Sequence, residues 1–378
     1  MSASLAILSF YNVSTPVSGG ALRVDALLNA VSPYSVRLIQ PGGTHPHWPS
    51  TTFRPDFGHR RVGINWGMFN YFWPGTARLT RQCLEEWTPA GLVLTSIWGW
   101  APFRHRAPAV PMVLDAQNVD ARAIGEQYGF RHPFTRLLAR WERRVAHEAA
   151  HICVCSAVDK QGFIEDYGVD PDKITIVPNG SHVPSETELE SQPLPDADLE
   201  QRLDGARVGL FVGGKLDYPP NAEGLKFLNE QVVPALESQR PGAFKVIVIG
   251  APVPNLSFHP SVIPVGRVPS IDPYMRRADL CLAPIFSGSG TRLKVLDALA
   301  WRKPLVATGK AVEGIDCEPG THYVHAGKET FADEIERLLG QPDERHKLAA
   351  AGRQRIQERY TWTASEAIWR DTFARVFS

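Results

Sequence analysis

No stretch of this sequence approaches the eighteen or so consecutive apolar residues of a membrane-spanning helix. The apolar opening, residues 5–10, is too short for a secretory leader and has no basic lead, so a cytoplasmic protein is expected. Net charge is zero, which argues against a dedicated nucleic-acid partner. The five cysteines are Cys83, Cys153, Cys155, Cys281 and Cys317. Cys153 and Cys155 form C-x-C with no matching Cys/His cluster nearby, so buried, reduced thiols are expected rather than a zinc site or disulfides. There is no G-x-G-x-x-G fingerprint, and no D-x-D pair is placed to hold a metal. No internal repeat exists beyond an echo of strand, glycine loop and helix at Leu5 and Val208. Lysine is missing from residues 37–144, where fourteen arginines face seven acids, a balance of +7 in a chain that is neutral overall.

Glycine and proline, 31 each in 378 residues, imply many short loops and room for two α/β domains. Residues 5–10 read as a buried strand. The loop 12–20 comes next, ending in Gly19-Gly20, and then a helix over 21–31. Further strands are expected at 36–40, 92–98, 112–115, 152–155 and 174–177. Residues 41–74 are rich in proline, histidine (His45, His47, His59) and rings from Trp48 to Trp73, with no clean period; loops this long are often functional. Residues 134–151 read as an amphipathic helix with Phe134, Leu137, Leu138, Trp141 and Val145 inward and Arg136, Arg140, Arg143, Arg144 and His147 outward. Residues 185–204 are acidic with little apolar period and read as a linker. A second α/β unit opens at 208–212, then Gly213-Gly214-Lys215 and a helix over 222–236. Strands at 245–249, 262–265, 304–307 and 322–325 and helices at 330–339, 343–359 and 361–377 complete the chain.

Residues 283–308 organise the second half. Residues 280–283 are an apolar run of the buried parallel-strand kind. Ser287-Gly288-Ser289-Gly290 is a turn of small residues, and a helix is expected from about Thr291 as N-cap. Such a turn at a helix N-terminus favours anions, because unpaired N–H groups and the positive dipole end point the same way. Arg292 and Lys294 add charge. At 100° per residue, Leu293, Val295, Leu296, Leu299 and Ala300 form the core face, and Lys294, Asp297 and Trp301 the opposite one. Asp297 there suits two ribose hydroxyls; an ordinary surface pair of Lys294 with Asp297 is the alternative.

The run S-G-S-G-T-R-L-K-V-L-D over 287–297 resembles the donor-binding block of retaining glycosyltransferase family 4, which has the GT-B fold. It is most similar to bacterial sugar transferases carrying G-G-G-T-R-L-K-x-L-E-A. The runs E-R-R-V-A-H-E-A-A-H-I-C-V-C-S at 142–156 and I-V-P-N-G at 176–180 extend the likeness, which covers nearly the whole chain. It implies two Rossmann-like α/β domains facing each other across a cleft. They would be an acceptor-side domain at 1–184, a linker at 185–204, a nucleotide-sugar domain at 205–360, and a C-terminal helix at 361–378 crossing back to the first domain.

The resemblance also implies roles. Lys215, Arg292 and Gln117 would stand at the reacting centre. Gly19, Gly20, Gly213, Gly214, Arg267, Val268, Ser287, Gly288, Ser289, Gly290, Thr291, Leu293, Lys294 and Asp297 would bind the donor, a nucleotide-diphosphate sugar, without metal or other cofactor. The chain departs from the family at several points. Ser289 stands where the first of two glutamates falls, and Asp297 is a shortened version of the second. Gln117, in Q-N-V-D, replaces a histidine and cannot carry a proton; a capping or loop role is its other reading. A second lysine usual after Lys215 gives way to Pro219, Pro220 and Asn221. The expected activity is transfer of a sugar to an acceptor with retention; a nucleotide-sugar epimerase or a non-catalytic sensor are the alternatives. The arginine-rich first half and its rings suggest a lipid-linked acceptor or contact with an anionic membrane.

Overall fold

The computed structural model describes all residues except 1–3, 17, 54–70, 191–193, 195, 204 and 252–255. Phe57, His59, Trp66 and Phe69, singled out in the sequence, lie outside the described residues. Two compact units divide the chain, Met1–Asn179 with Thr363–Ser378, and Gly180–Trp362.

The first unit comprises β1 (Ser4–Leu8), α1 (Gly19–Ala30), β2 (Ser35–Pro41), β3 (Ser50–Phe53), α2 (Pro74–Trp87), β4 (Gly91–Leu94), β5 (Met112–Ala116), α3 (Asp120–Tyr128), α4 (Pro133–Glu148), β6 (His151–Val154), α5 (Ala157–Tyr167) and β7 (Ile174–Ile176). Its sheet is wholly parallel in the order β3-β2-β1-β4-β5-β6-β7. The central strands are near-continuous apolar runs, buried throughout, as a sheet covered on both faces requires.

The structure departs from expectation at several points. Residues 92–98 are a strand only to Leu94. Ser96 then accepts a hydrogen bond from the Trp98 N–H and starts a 3-10 turn, Ile97–Phe103, which is buried throughout. Gly19 and Gly20 are the first residues of α1 rather than loop, because Ser18 caps the helix by accepting from the Ala21 N–H. The irregular region contributes the edge strand β3. Of its rings, Tyr71 is buried with its hydroxyl donating to Ser9 O, Phe72 packs on Trp141, and Trp73 is exposed.

Helix α4 does not present the expected face. Leu137 is 63% exposed, and Glu142 is turned inward beside Leu138 and Val145. Glu142 accepts from the N–H groups of Asp120 (2.7 Å) and Ala121 (2.9 Å) and from the Tyr167 hydroxyl (2.6 Å). Helix α3 has no side-chain cap of its own, so a carboxylate from the neighbouring helix takes its unpaired donors. Burial, reinforced by the charge of Asp120, raises the Glu142 pKa.

The second unit begins with two short helices, α6 (Glu186–Leu189) and α7 (Ala197–Leu203), in the stretch expected as a linker. Leu194, Leu199 and Leu203 are buried in this unit's core, so the segment packs rather than bridges. Then come β8 (Arg207–Lys215), α8 (Pro219–Phe227), α9 (Val233–Gln239), β9 (Phe244–Ala251), β10 (Val262–Gly266), α10 (Asp272–Arg277), β11 (Leu280–Ala283), α11 (Leu293–Ala300), β12 (Leu305–Ala307), α12 (Gly309–Val312), β13 (Val324–His325), α13 (Phe331–Leu339) and α14 (Pro342–Arg359). A π turn, Leu228–Val232, joins α8 to α9 just ahead of Pro234, whose missing N–H an unbroken α-helix would not accommodate. The parallel sheet runs β10-β9-β8-β11-β12-β13, which counted from β8 is the order 3-2-1-4-5-6 of a dinucleotide-binding sheet.

The last helix, α15 (Trp362–Val376), belongs with the first unit from Thr363 onward. Arg23 donates to both carboxylate oxygens of Asp115, at 2.9 and 2.7 Å, and to Val177 O and Asn179 Oδ1. The Trp369 indole N–H donates to Asp115 Oδ1 at 3.1 Å, and the Arg23 guanidinium lies over its ring. Arg23, Asp115 and Trp369 are fully buried. Burial alone would lower the Arg23 pKa, but the charge and hydrogen bond of Asp115, together with the neighbouring Cys155 and Cys153, outweigh it and the net shift is upward.

Candidate functional site

In the second unit the strand order reverses between β8 and β11, and ligands of such sheets bind beyond the carboxyl ends at that point. The segments leaving these two strands are therefore the ones placed to meet a ligand. Strand β8 runs further than the sequence suggests. Gly213, Gly214 and Lys215 continue it past a bulge at Val212/Gly214, with Gly214 at φ +60°. They are a distorted strand end rather than a turn. A Cβ at Gly213 would fall 2.1 Å from the buried Leu216 side chain, which would have to move to admit it. Lys215 is exposed at the tip.

Asn221, in the first turn of α8, donates to Gly213 O at 2.5 Å and to Lys215 O at 2.8 Å. Its own oxygen accepts from Lys294 Nζ at 2.7 Å. Asn221 thus occupies the region of the missing second lysine as a clamp, a role that the sequence alone did not suggest. Its place in D-Y-P-P-N, directly after a glycine strand end, was the available signal.

Beyond β11, the 287–291 turn has Gly288 at φ +92° and Gly290 at φ +78°. Pro220 lies 3.0 Å from where a Gly288 Cβ would sit, so the start of α8 packs against this turn. Arg292 donates to Gly288 O and Gly290 O, both at 2.6 Å, and Glu313 stands 3.7 Å away. The expected phosphate base is thus bound to its own turn's carbonyls. It also moves the helix start: Arg292 has extended backbone and occupies the N-cap position, so α11 begins at Leu293 and Thr291 remains outside it. Ser287 donates to Glu223 at 3.3 Å. Ser289 is half-buried in the same turn, and Leu293 packs against the core.

Lys294 and Asp297 do not pair with each other. Lys294 is turned in against the Phe211 ring, 4.8 Å from its centroid, and among the described residues Asn221 is its hydrogen-bond acceptor. Burial, reinforced by Arg292, pulls its pKa down to about 7. Asp297 Oδ1 accepts from the Ser181 hydroxyl at 2.6 Å, and burial pushes its pKa up to about 6. Trp301, expected on the polar face, is buried beneath the Arg276 guanidinium at the end of α11. Arg267 is exposed and Val268 half-buried after the edge strand β10, two strands away from β8. The structure therefore brings Lys215 and Lys294 together through Asn221, sets the glycine turn against the adjacent Pro220, and leaves Arg267 and Val268 at the sheet's edge.

In the first unit, Gln117 comes directly after β5, and its amide N–H donates to Gly20 O at 3.3 Å. A Cβ at Gly20 would stand 2.2 Å from the Tyr11 ring and 2.5 Å from Gln117 Oε1. Gln117, Gly20 and Tyr11 thus form one close contact at the carboxyl end of this sheet. Among the described residues no group of three or more His, Cys, Asp or Glu side chains is arranged to hold a metal ion, and no helix is long and apolar enough to cross a membrane.

Two family models match consecutive parts of the chain. Residues 28–180 match the glycosyl transferase 4-like domain, and residues 206–341 match glycosyl transferases group 1. No curated protein matches the sequence. Among solved structures, sucrose-phosphate synthase from Thermosynechococcus elongatus is 16% identical, with TM-score 0.74 and 99% of each chain covered. Anabaena HepE, solved with UDP and glucose, is 13% identical with TM-score 0.70, covering 98% of this chain and 99% of that one. The trehalose 6-phosphate synthase of Burkholderia multivorans is 13% identical with TM-score 0.69, covering 100% and 98%. At these identities the structural likeness establishes the fold, which is GT-B.

Proposed function

We propose that this chain, a glycosyltransferase of the GT-B type, takes a nucleotide-diphosphate sugar in its second unit and transfers the sugar with retention of configuration. The observation that carries the reading is the convergence at the β8–β11 switch point. An exposed lysine and a half-buried lysine are joined there by one asparagine, and Pro220 beside it packs on the glycine turn. That arrangement suits an anion whose charge grows as a bond breaks, as on a leaving nucleoside diphosphate. Lys215 and the turn's N–H groups would stabilise that charge. Lys294 would regain its proton as the diphosphate arrives. Arg292 would act on the turn, by holding the Gly288 and Gly290 carbonyls back from the ligand. Asp297 would offer its second oxygen to ribose. HepE has been solved with UDP-glucose, which supports testing uridine donors first.

The test is a thermal-shift panel of UDP, GDP, ADP and their glucose conjugates. The true donor should raise the melting temperature by mass action, and Lys215→Ala should reduce that rise. No stabilisation by any nucleotide would overturn the reading. Incubating the bound donor without acceptor then separates slow hydrolysis, expected of a transferase, from interconversion by an epimerase and from the inertness of a sensor.

A further inference from the structure

We infer that helix α4 is a membrane-docking surface that seats on anionic lipid. Its outward residues Arg136, Arg140, Arg143 and Arg144 are all exposed. They fall within about 100° of arc at 100° per residue, so they form one stripe. The acid within that stretch, Glu142, faces the opposite way and is buried. Glu148, in the last turn, borders the stripe at its Arg144 end only. Between Arg136 and Arg144, then, no carboxylate of the helix itself interrupts the positive charge.

A solvated basic face explains the arginines but not their apolar neighbours. Leu137, one position along, is 63% exposed, and so is Phe130 in the turn that leads into the helix. These are the two most exposed of the large apolar side chains in the described residues. Phe130 is also seated: its ring lies 2.4 Å from where a Gly125 Cβ would be, so α3 has a glycine where the ring rests. A ring supported from behind and open in front is a fixed feature of the surface. Guanidinium groups at headgroup level with apolar side chains along their border match the interface of an anionic bilayer. A nucleic acid would have no use for the leucine.

Docking of this kind is carried by residues of the first unit alone, so it stands or falls apart from the donor site. Full-length protein is sedimented with vesicles of phosphatidylcholine alone or with added phosphatidylserine, at low and high salt. Binding to anionic vesicles only, weakening as salt screens the attraction, is expected. Each basic residue near such a surface is worth on the order of fivefold, so R136Q/R140Q/R144Q should weaken binding by about a hundredfold. F130S/L137S should lower the binding that survives high salt. Both variants should keep the parent's circular dichroism spectrum and melting temperature, which shows that they are folded. Equal recovery in the supernatant with both vesicle types would overturn the inference, as would anionic binding that neither variant changes. Capture by polyglutamate resin without vesicle binding would point instead to an acidic protein and would also overturn it.

Discussion

Lys294 Nζ donates to Asn221 Oδ1 at 2.7 Å, and through that bond helix α11 is tied to the last carbonyls of β8. The amide nitrogen of Asn221 is saturated by the arrangement, with its two donors spent on Gly213 O and Lys215 O. Asn221→Ala should leave Lys294 with no acceptor among the described residues and free the strand end. A lost hydrogen bond to a charged group costs about 1.5–3 kcal/mol. Nucleotide affinity should therefore fall roughly tenfold to a hundredfold in isothermal titration, with the circular dichroism spectrum unchanged.

The same lysine sets a pH dependence. With the site empty its pKa is near 7, against 10.5 for an ordinary lysine. The unfolded chain thus binds more protons between those values, and this group's contribution to stability rises with pH through that window. A bound diphosphate acts the other way and draws a proton onto Lys294. Affinity should fall as pH goes from 7 to 9. Titrations in two buffers of different ionisation enthalpy should show a fraction of a proton taken up. Lys294→Met should remove both effects.

Asp297, pushed up to about 6, is ionised at pH 7.5. Asp297→Asn should preserve the fold and weaken nucleotide binding, again by about 1.5–3 kcal/mol if the carboxylate accepts from ribose. A deoxyribose analogue that binds the parent as tightly as the ribonucleotide would assign Asp297 to Ser181 alone.

How much of this was legible in the sequence differs by feature. Most of the strands were, because short apolar runs bounded by glycine and proline have few other uses in an α/β chain; the polar edge strand β3 and the end of β4 at Leu94 were not. The direction of α4 was not. Leu137 looks like core and Glu142 like surface until the uncapped end of α3 is placed beside them, and that is a tertiary fact. Lys294 was hidden for a similar reason: helical facing put it in solvent, and Asn221 and the Phe211 ring lie 73 and 83 residues back. The glycines announced that something tight happens, but not whether it would be a turn, a bulge or a helix start. At 213–214 and 19–20 the answer came from neighbours, Leu216 and Tyr11, that periodicity cannot see.

Gly20→Ala should be destabilising. The methyl group would land on Tyr11 and Gln117, and overpacking of this kind costs about 1–3 kcal/mol. Melting should drop by several degrees. Gln117→His is milder, since an imidazole N–H can still donate to Gly20 O; sugar transfer should be kept or raised, and a loss with the melting temperature unchanged would remove Gln117 from the site.

Asp115→Ala should be the most damaging single change in the first unit. It strands the buried Arg23 charge, which typically costs about 3–5 kcal/mol, whereas replacing both partners by apolar residues is often near neutral. Urea denaturation of Asp115→Ala and of Arg23→Met/Asp115→Leu should show a loss in the first and recovery in the second.

Trp369 closes that same pair, and it lies among the last ten residues of the chain. During synthesis, the whole of residues 180–362 therefore leaves the ribosome before the first unit can complete its core. A nascent chain must hold Arg23 and Asp115 without their tryptophan lid while the second unit folds. A stop codon anywhere in α15 ahead of Trp369 would release a product whose second unit is whole and whose first unit is open at its centre.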